Sequence, residues 1–349
     1  MNDEIFISRC LEIAKNGNAL TKPNPSVGAV IVCDDKIIGE GYTSPFGGDH
    51  AEINALQSVA DKSQLKQSTL YVTLEPCSHF GKTPPCANAI IKFGIPRVVI
   101  GCLDPNPKVK GNGVSMLKQA GIDLKVGVLE HECREHHKSF LTQHELKRPY
   151  IILKWAQCKN GMIAPNIQQK RKPFWISNSY AKQLVHKWRS EEQAILVGTN
   201  TVLKDNPKLN TRLWKGNNPI RIILDSTLRL PLDSHIFDDS VKTIVIIDES
   251  TCAEIEKTFH KTHFERINFG NTIAEQISNV LFQYDIQSVI IEGGAQTLNT
   301  FIDEDLWDEA RVTIGDVVIE NGITAPQLNK NPLQEIVMDN NIIRVYHND

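Results

Sequence analysis

Short runs rich in β-branched residues alternate with segments of helical spacing along almost the whole chain, and this alternation constrains the fold more than any other feature. Residues 5–14 carry Ile5, Ile7, Leu11 and Ala14 at helical spacing and stop at Gly17, and residues 27–33 form a β-branched run that Asp34-Asp35 turns into Lys36-Ile37-Ile38. Helix at 51–60, strand at 69–74, helix at 86–93, strand at 97–103, helix at 113–120 and strand at 122–128 complete the series. Such an order predicts a three-layer α/β unit with helices on both faces of a mixed sheet. Residues 130–147 read as one charged helix running into Arg148-Pro149, where proline stops it. A second α/β series follows: strand 150–155, helix 179–190, strands 194–198, 220–225 and 243–248, helix 273–284, strand 288–292, helix 297–302 and strand 310–314. At 349 residues the chain exceeds the roughly 250 to 300 at which single cores stop growing. Two domains are therefore expected, 1–147 and 148–349.

Composition narrows the function classes. Hydrophobic residues at 41% and charged residues at 23% are those of an ordinary globular chain, which excludes a disordered or collagen-like one. Thirty-eight Lys and Arg against forty-one Asp and Glu give a net charge of -3, so no global field favours nucleic acid or an anionic membrane surface. The opening MNDEIFISRC lacks a basic n-region and an apolar h-region, and no apolar run approaches the roughly 18 residues of a membrane span, so a cytoplasmic location is expected. Eight cysteines are too sparse for a disulfide framework, and Cys10, Cys33, Cys102, Cys133, Cys158 and Cys252 read as small buried thiols.

Cys77 and Cys86 differ. His50-Ala51-Glu52 opens a predicted helix, Pro76-Cys77 follows a strand and Cys86 opens the next helix. One imidazole and two thiolates are three zinc ligands, leaving a fourth tetrahedral position for water, the pattern of a catalytic rather than a structural zinc. Glu52, two residues from the histidine, matches the His-x-Glu of zinc nucleobase deaminases, whose carboxylate carries protons while Pro-Cys supplies thiolate. A lone His or Cys is usually structural; the combination in strand-helix context predicts a metal site with Glu52 catalytic. The helix dipole is expected to favour the Cys86 thiolate.

Eight residues separate the two cysteines where two are usual for that class. With that loop, the segments Pro23-Asn24-Pro25-Ser26-Val27-Gly28, His50-Ala51-Glu52 and Glu75-Pro76-Cys77 through Pro84-Pro85-Cys86 resemble the deaminase half of the bifunctional deaminase/reductases of riboflavin biosynthesis. The resemblance implies a cytidine-deaminase-like domain that removes the amine of a diaminohydroxypyrimidine bearing a phosphoribosylamino group. It also implies one zinc on His50, Cys77 and Cys86. Asn24, with one amide donor and one acceptor, suits a pyrimidine edge, and His79, Lys82 and Thr83 suit a ribose phosphate. Relatives often carry His where this chain has Thr43.

In the second half, Glu292-Gly293-Gly294-Ala295-Gln296-Thr297-Leu298 lies between a strand and a helix, where glycines let backbone N–H groups approach phosphate. Alone this is weak, and the G-x-G-x-x-G of a Rossmann domain is absent. Leu153-Lys154-Trp155-Ala156, Trp175-Ile176-Ser177, His186-Lys187-Trp188-Arg189, the segment 201–212 and Arg221 through Ser226 join it in an order that resembles the reductase half of the same family, with a dihydrofolate-reductase-like fold and NADPH as cofactor. By that resemblance Ala156, Trp175, Thr201, Asp205, Ser226, Gly293, Gly294, Ala295, Gln296, Thr297 and Leu298 contact NADPH, and Lys154, Arg189, Leu209, Arg212 and Glu292 contact substrate. Arg189 and Arg212 are forked cations suited to a phosphate.

The expected protein acts on a small phosphoribosylaminopyrimidine, binds neither nucleic acid nor membrane, and forms a homo-oligomer. Three departures in the second half stand against this, one being the loop 315–322, which lacks the usual proline and basic residue. Cys158-Lys159-Asn160-Gly161 replaces the usual Ser-Leu-Asp-Gly, and Pro173 stands where a substrate-touching Ser is common. They keep open the alternative of an active deaminase with a degenerate nucleotide-binding second domain.

Overall fold

The computed structural model describes residues 2–17, 20–78, 84–106, 109–167, 171–251 and 259–348. Its contacts divide it into two compact units, Met1–Lys147 and Arg148–Asp349.

The first unit runs α1 (Asp3–Ala14), β1 (Gly28–Cys33), β2 (Lys36–Tyr42), α2 (Ala51–Ser58), β3 (Thr69–Leu74), α3 (Cys86–Phe93), β4 (Arg97–Cys102), α4 (Asn112–Gln119), β5 (Asp123–Val126), α5 (Glu130–His136) and α6 (Lys138–Leu146). The sheet order is β2-β1-β3-β4-β5, with β1 antiparallel to both neighbours and β3, β4 and β5 parallel. Every residue of β1 and β3 is buried, so helices cover both faces, as continuous apolar runs demand. Gly41 lets α2 lie on the backbone of β2: a Cβ there would stand 2.3 Å from Ala55 N and 2.5 Å from Ala51 O. That close approach seats the helix whose first turn carries Glu52.

Residues 130–147 are not one helix. The chain breaks at His137, whose buried ring sits 3.0 Å from Thr73 Oγ1, while the His136 Nε2–H donates to Ser26 O at 2.7 Å. Adjacent side chains of a straight helix do not share a face, so turning both imidazoles inward requires the break.

The second unit runs β6 (Tyr150–Cys158), β7 (Met162–Pro165), α7 (Ser179–Glu191), β8 (Ala194–Gly198), α8 (Thr199–Asp205), β9 (Ile220–Leu224), β10 (Thr243–Asp248), β11 (Thr262–Ile267), α9 (Ile273–Gln283), β12 (Ser288–Ile291), α10 (Ala295–Asp303), β13 (Glu309–Gly315), β14 (Gly322–Thr324), β15 (Gln334–Met338) and β16 (Asn341–His347). Nine strands form one sheet in the order β11-β10-β9-β8-β12-β6-β13-β16-β15, parallel as far as β13 and antiparallel beyond it; β14 pairs with β7 separately. Alternate residues of β6 enter two cores. Ile151, Leu153 and Trp155 pack with α9 and α10, and Tyr150 and Ile152 with α7 and α8.

Strand β11, helix α8 and the hairpin β15-β16 were not expected from the sequence. The exposed, polar positions of β11 and β15 explain this, since both are edge strands. The departure at Cys158-Asn160 closes on itself: Cys158 Sγ lies 2.8 Å from Asn160 Oδ1 and accepts from Met162 N at 3.3 Å, and Asn160 Nδ2 donates to Ile319 O at 2.7 Å. An aspartate could not make that last bond.

Candidate active sites

In the first unit, three segments bring their donors together. His50 is the N-cap of α2 in extended conformation, Cys77 follows β3, and Cys86 is the first residue of α3 after Pro85. His50 Nδ1 lies 3.5 Å from Cys77 Sγ and 3.4 Å from Cys86 Sγ, and the three ligand atoms lie within 4.8 Å of one another. Zn–N near 2.0–2.1 Å and Zn–S near 2.3 Å at a tetrahedral angle give an N···S edge of about 3.6 Å, so the spacing fits zinc.

The protonation of the donor set agrees with that fit. Cys86 and His50 hydrogen-bond to the Cys77 sulfur and hold its thiol down at about 4 despite burial. The bond to Cys77 raises His50 to about 9. Cys86 is pushed well up by that same neighbour and by burial. The protein's own groups thus favour one thiolate, and a divalent cation supplies the charge that a second requires. The α3 N-terminus serves a different sulfur from the one expected: the Cys86 N–H donates to Cys77 Sγ at 3.3 Å, because a cysteine that begins a helix offers its own N–H outward.

Glu52 is buried, and burial followed by the Cys77 charge pushes its carboxyl up to about 7, between acid and base at neutral pH. Asn24 occupies the turn expected of a residue between two prolines, its N–H donating to Thr21 O at 2.9 Å. His79, Lys82 and Thr83 lie outside the described residues. Thr43 faces inward, accepting from Val27 N at 2.9 Å, and so braces β1.

Glu75 opens the segment that carries the resemblance, but the sequence assigns it no role of its own. Its buried carboxylate accepts from Asp104 N, Gly111 N and Val114 N at 3.1–3.3 Å, tying the Cys77 segment to the turn that starts α4.

In the second unit a cleft of about 970 Å³ opens over the sheet. Ala156, Trp175, Thr201, Asp205, Ser226, Gly293, Gly294, Ala295, Gln296 and Thr297 line it, as do Lys154, Arg189, Leu209, Arg212 and Glu292. Leu298 does not. Its side chain is fully buried in the α9–α10 core and its N–H donates to Gly294 O, because the helical turn carries this position away from the cleft. The two glycines have different neighbours. A Cβ on Gly293 would stand 2.9 Å from Thr297 Cβ, whereas one on Gly294 would meet nothing closer than Thr201 Oγ1 at 3.7 Å and would occupy the cleft at the start of α10. That open floor, with N–H groups at a helix N-terminus, fits a dinucleotide phosphate.

Glu292 anchors the charges. Arg189 donates to both its oxygens at 2.9 and 2.6 Å, and Lys154 Nζ lies 3.5 Å from Oε2. Burial opposes the Glu292 charge, but Arg189 and Lys154 outweigh it and hold the carboxyl at about 2. Glu292 thus takes two donors of Arg189, whose Nη1 also donates to Asn210 O at 3.4 Å, while the exposed Arg212 donates from Nη1 to Asn210 Oδ1 at 3.2 Å. His186 is a lining residue the sequence did not single out. It is buried, its Nδ1 accepts from Arg212 N at 3.3 Å, and burial with Arg189 and Arg212 nearby lowers it to about 4.

A half-buried His-Cys-Cys donor set with a buried carboxylate beside it, followed by a phosphate-fitting cleft over a parallel sheet, defines a metal-dependent deaminase joined to a reductase. Comparisons with known proteins agree. Residues 1–102 match the cytidine and deoxycytidylate deaminase zinc-binding region, and residues 149–332 the RibD C-terminal domain. The riboflavin biosynthesis protein RibD of Aquifex aeolicus is 39% identical over 95% of this chain and 92% of its own. An Acinetobacter baumannii RibD structure is 34% identical with a TM-score of 0.88 over 98% of each chain. The Thermotoga maritima diaminohydroxyphosphoribosylaminopyrimidine deaminase/5-amino-6-(5-phosphoribosylamino)uracil reductase is 35% identical with a TM-score of 0.85 over 99% of this chain and 98% of its own. The chain belongs to the RibD family of riboflavin biosynthesis proteins, with a cytidine-deaminase-like domain followed by a dihydrofolate-reductase-like one.

Proposed function

We propose that this chain carries out two successive steps of riboflavin biosynthesis. The first domain hydrolyses the exocyclic amine of diaminohydroxyphosphoribosylaminopyrimidine, and the second reduces the ribosyl side chain with NADPH to give 5-amino-6-(5-phosphoribitylamino)uracil. The observation that carries this reading is the convergence of His50, Cys77 and Cys86 around one point beside buried Glu52, in a chain similar from end to end to solved deaminase/reductases.

In this reading His50, Cys77 and Cys86 hold zinc, which when bound supplies a Lewis acid that lowers the pKa of water towards 7. Glu52 takes one proton of the attacking water and passes it to the ring nitrogen, then takes the second from the hydroxyl formed on the ring carbon and passes it to the amine, which leaves as ammonia as the carbonyl forms. Asn24 reads the pyrimidine edge, and His79, Lys82 and Thr83 face the ribose phosphate. In the second domain Gly294 and the N–H groups that open α10 receive the dinucleotide phosphate, and NADPH supplies the hydride. Lys154, Arg189 and Glu292 form the buried charged wall against which substrate is held, and Arg212, steadied by His186, is the phosphate contact.

The chain is further proposed to be cytoplasmic and homo-oligomeric. All seven described cysteines are free thiols, as a reducing compartment keeps them, and exposed Leu333 and Val337 on or beside the edge strand β15 suit self-association. Among the described residues no helix is long and apolar enough to cross a membrane.

Incubation of the purified protein with the phosphoribosylaminopyrimidine, with and without NADPH, tests both halves when products are read by mass. One deaminated product without NADPH and a further gain of two hydrogens with it are expected. Deamination with no NADPH consumption would instead favour a degenerate second domain, which the closed turn at Cys158-Asn160 argues against.

A further inference from the structure

Residues 206–219 join α8 to β9 without helix or strand, so side chains rather than a ladder must hold whatever this loop presents to the cleft. One face of α7 does so. Arg189 and Ser190 stand three and four residues beyond His186 and share its side of the helix, and each of the three meets the loop. His186 Nδ1 accepts from Arg212 N at 3.3 Å, Arg189 Nη1 donates to Asn210 O at 3.4 Å, and Gly216 lies so close that a Cβ there would stand 2.5 Å from Ser190 Cβ.

The loop closes the rest of its frame itself. Leu209 turns through left-handed backbone (φ 50°) into the core shared with α7 and α8, Thr211 N donates to Asn218 Oδ1 at 2.8 Å, and Thr211 Oγ1 donates to Asn217 O at 3.1 Å. Arg189 also donates to both oxygens of Glu292, so one residue sets the loop against the buried charged wall. Arg212 is what this frame presents: an exposed cation lining the cleft, with Nη1 on Asn210 Oδ1 at 3.2 Å.

The histidine is suited to that task. A backbone N–H can only donate, so Nδ1 carries no proton and the neutral ring keeps its hydrogen on Nε2. Burial, with Arg189 and Arg212 nearby, lowers His186 to about 4 and keeps the acceptor available at neutral pH. Removing the acceptor would loosen the loop at the residue from which the guanidinium springs. A phosphate would then have to order backbone as well as side chain, at a cost in affinity.

We infer that His186 is a positioning residue for the substrate phosphate: by holding the Arg212 backbone it sets the guanidinium at the cleft, and so lets the second domain tell the phosphorylated intermediate from its phosphate-free counterpart. The inference rests on the reading of Arg212 as the phosphate contact. A guanidinium fork is planar and directional, so its paired bonds to phosphate oxygens depend on where its backbone is fixed.

The test uses the full chain with NADPH and compares the deaminated intermediate with the same compound lacking its phosphate. His186→Phe keeps a ring but no acceptor. It should raise the KM for the phosphorylated intermediate about five- to tenfold, the worth of one hydrogen bond, with kcat and the KM for NADPH unchanged and the phosphate-free compound turned over as by wild type. His186→Asn, whose Oδ1 can stand near the place of Nδ1, should recover most of the loss. In an Arg212→Ala background, His186→Phe should add nothing. An unchanged melting curve checks the fold, and His186→Ala takes the place of His186→Phe if the larger ring lowers it. Equal losses with and without the phosphate, a raised KM for NADPH, no loss at all, or losses that add in the double variant would overturn the inference while the reading of Arg212 stands. An Arg212→Ala protein with the wild-type KM for the phosphorylated intermediate would overturn that reading and the inference with it.

Discussion

The two candidate sites solve opposite electrostatic problems. In the first domain the donor set brings more negative charge together than its own groups can settle: Cys77 is held as thiolate while Cys86 is pushed towards the thiol. In the second domain the buried charges settle one another, Glu292 being held at about 2 by Arg189 and Lys154, and exposed cations such as Lys204, Lys208 and Arg212 line the rest of the cleft. A small, half-buried site with uncompensated donors calls for a metal ion, whereas an open cleft with a neutralised floor and cationic rim calls for a large, mobile anion. The comparison predicts that damage to the first site abolishes one activity without touching the fold, and that breaking the buried charge cluster of the second reaches stability as well.

The largest effect should come from the metal ligands. Cys86→Ser is expected to take zinc from one per chain to near none and to abolish deamination, while reduction of the deaminated intermediate continues; zinc content unchanged in that variant would break the assignment. Glu52→Gln comes next. It leaves the ligands intact, so zinc should stay, deamination should fall by about 10² to 10⁴ or more for want of a proton carrier, and supplied intermediate should still be reduced. Loss of both activities in a folded Glu52→Gln protein would mean one shared site and erase the contrast between the two domains.

Glu292→Ala should cost the second domain about 3–5 kcal/mol, because it leaves Arg189 and Lys154 buried without their anion, and should abolish reduction. Chemical denaturation followed domain by domain measures this. The same group sets a pH dependence. Its folded pKa, about 2, lies below the ordinary 4.5, so its contribution is fully present above about 4.5 and is lost as pH falls towards 2. Wild type and Glu292→Ala should therefore converge in stability across that window, and parallel curves would show that the carboxylate is not the cause. The smallest effect on folding is expected at Gly294. Replacement by Val should leave the melting curve nearly unchanged, since the protein leaves room there, yet raise the KM for NADPH and spare deamination. A variant that binds NADPH normally would move the phosphate away from α10.

The metal site was legible because side-chain chemistry announces it: few functions place His-x-Glu, Pro-Cys and a second Cys at successive strand and helix junctions. The reductase cleft was legible only through the order of many weak segments, because backbone, shape and rim build it. Leu298 shows the cost. It belongs to the Gly293–Leu298 motif in sequence, but helical rotation sends it into the core. Arg189 shows another: a forked cation in a motif reads as a phosphate ligand, and the sequence does not reveal that Glu292, 103 residues away, takes two of its donors.

Taken alone, the order of apolar runs determined two α/β domains, and the residue types determined that the first would bind zinc. Both follow from local properties, hydrophobic period and ligand chemistry, which need no knowledge of distant neighbours. Tertiary structure alone decided which cysteine the α3 N-terminus favours, that residues 130–147 break so that two histidines brace the sheet, that Glu75 holds the Cys77 segment, and that His186 holds the backbone of Arg212. Each of these is a pairing between groups far apart along the chain or a choice of which way a side chain faces. Their free energy depends on burial and on partner geometry, which exist only once the strands have taken their places.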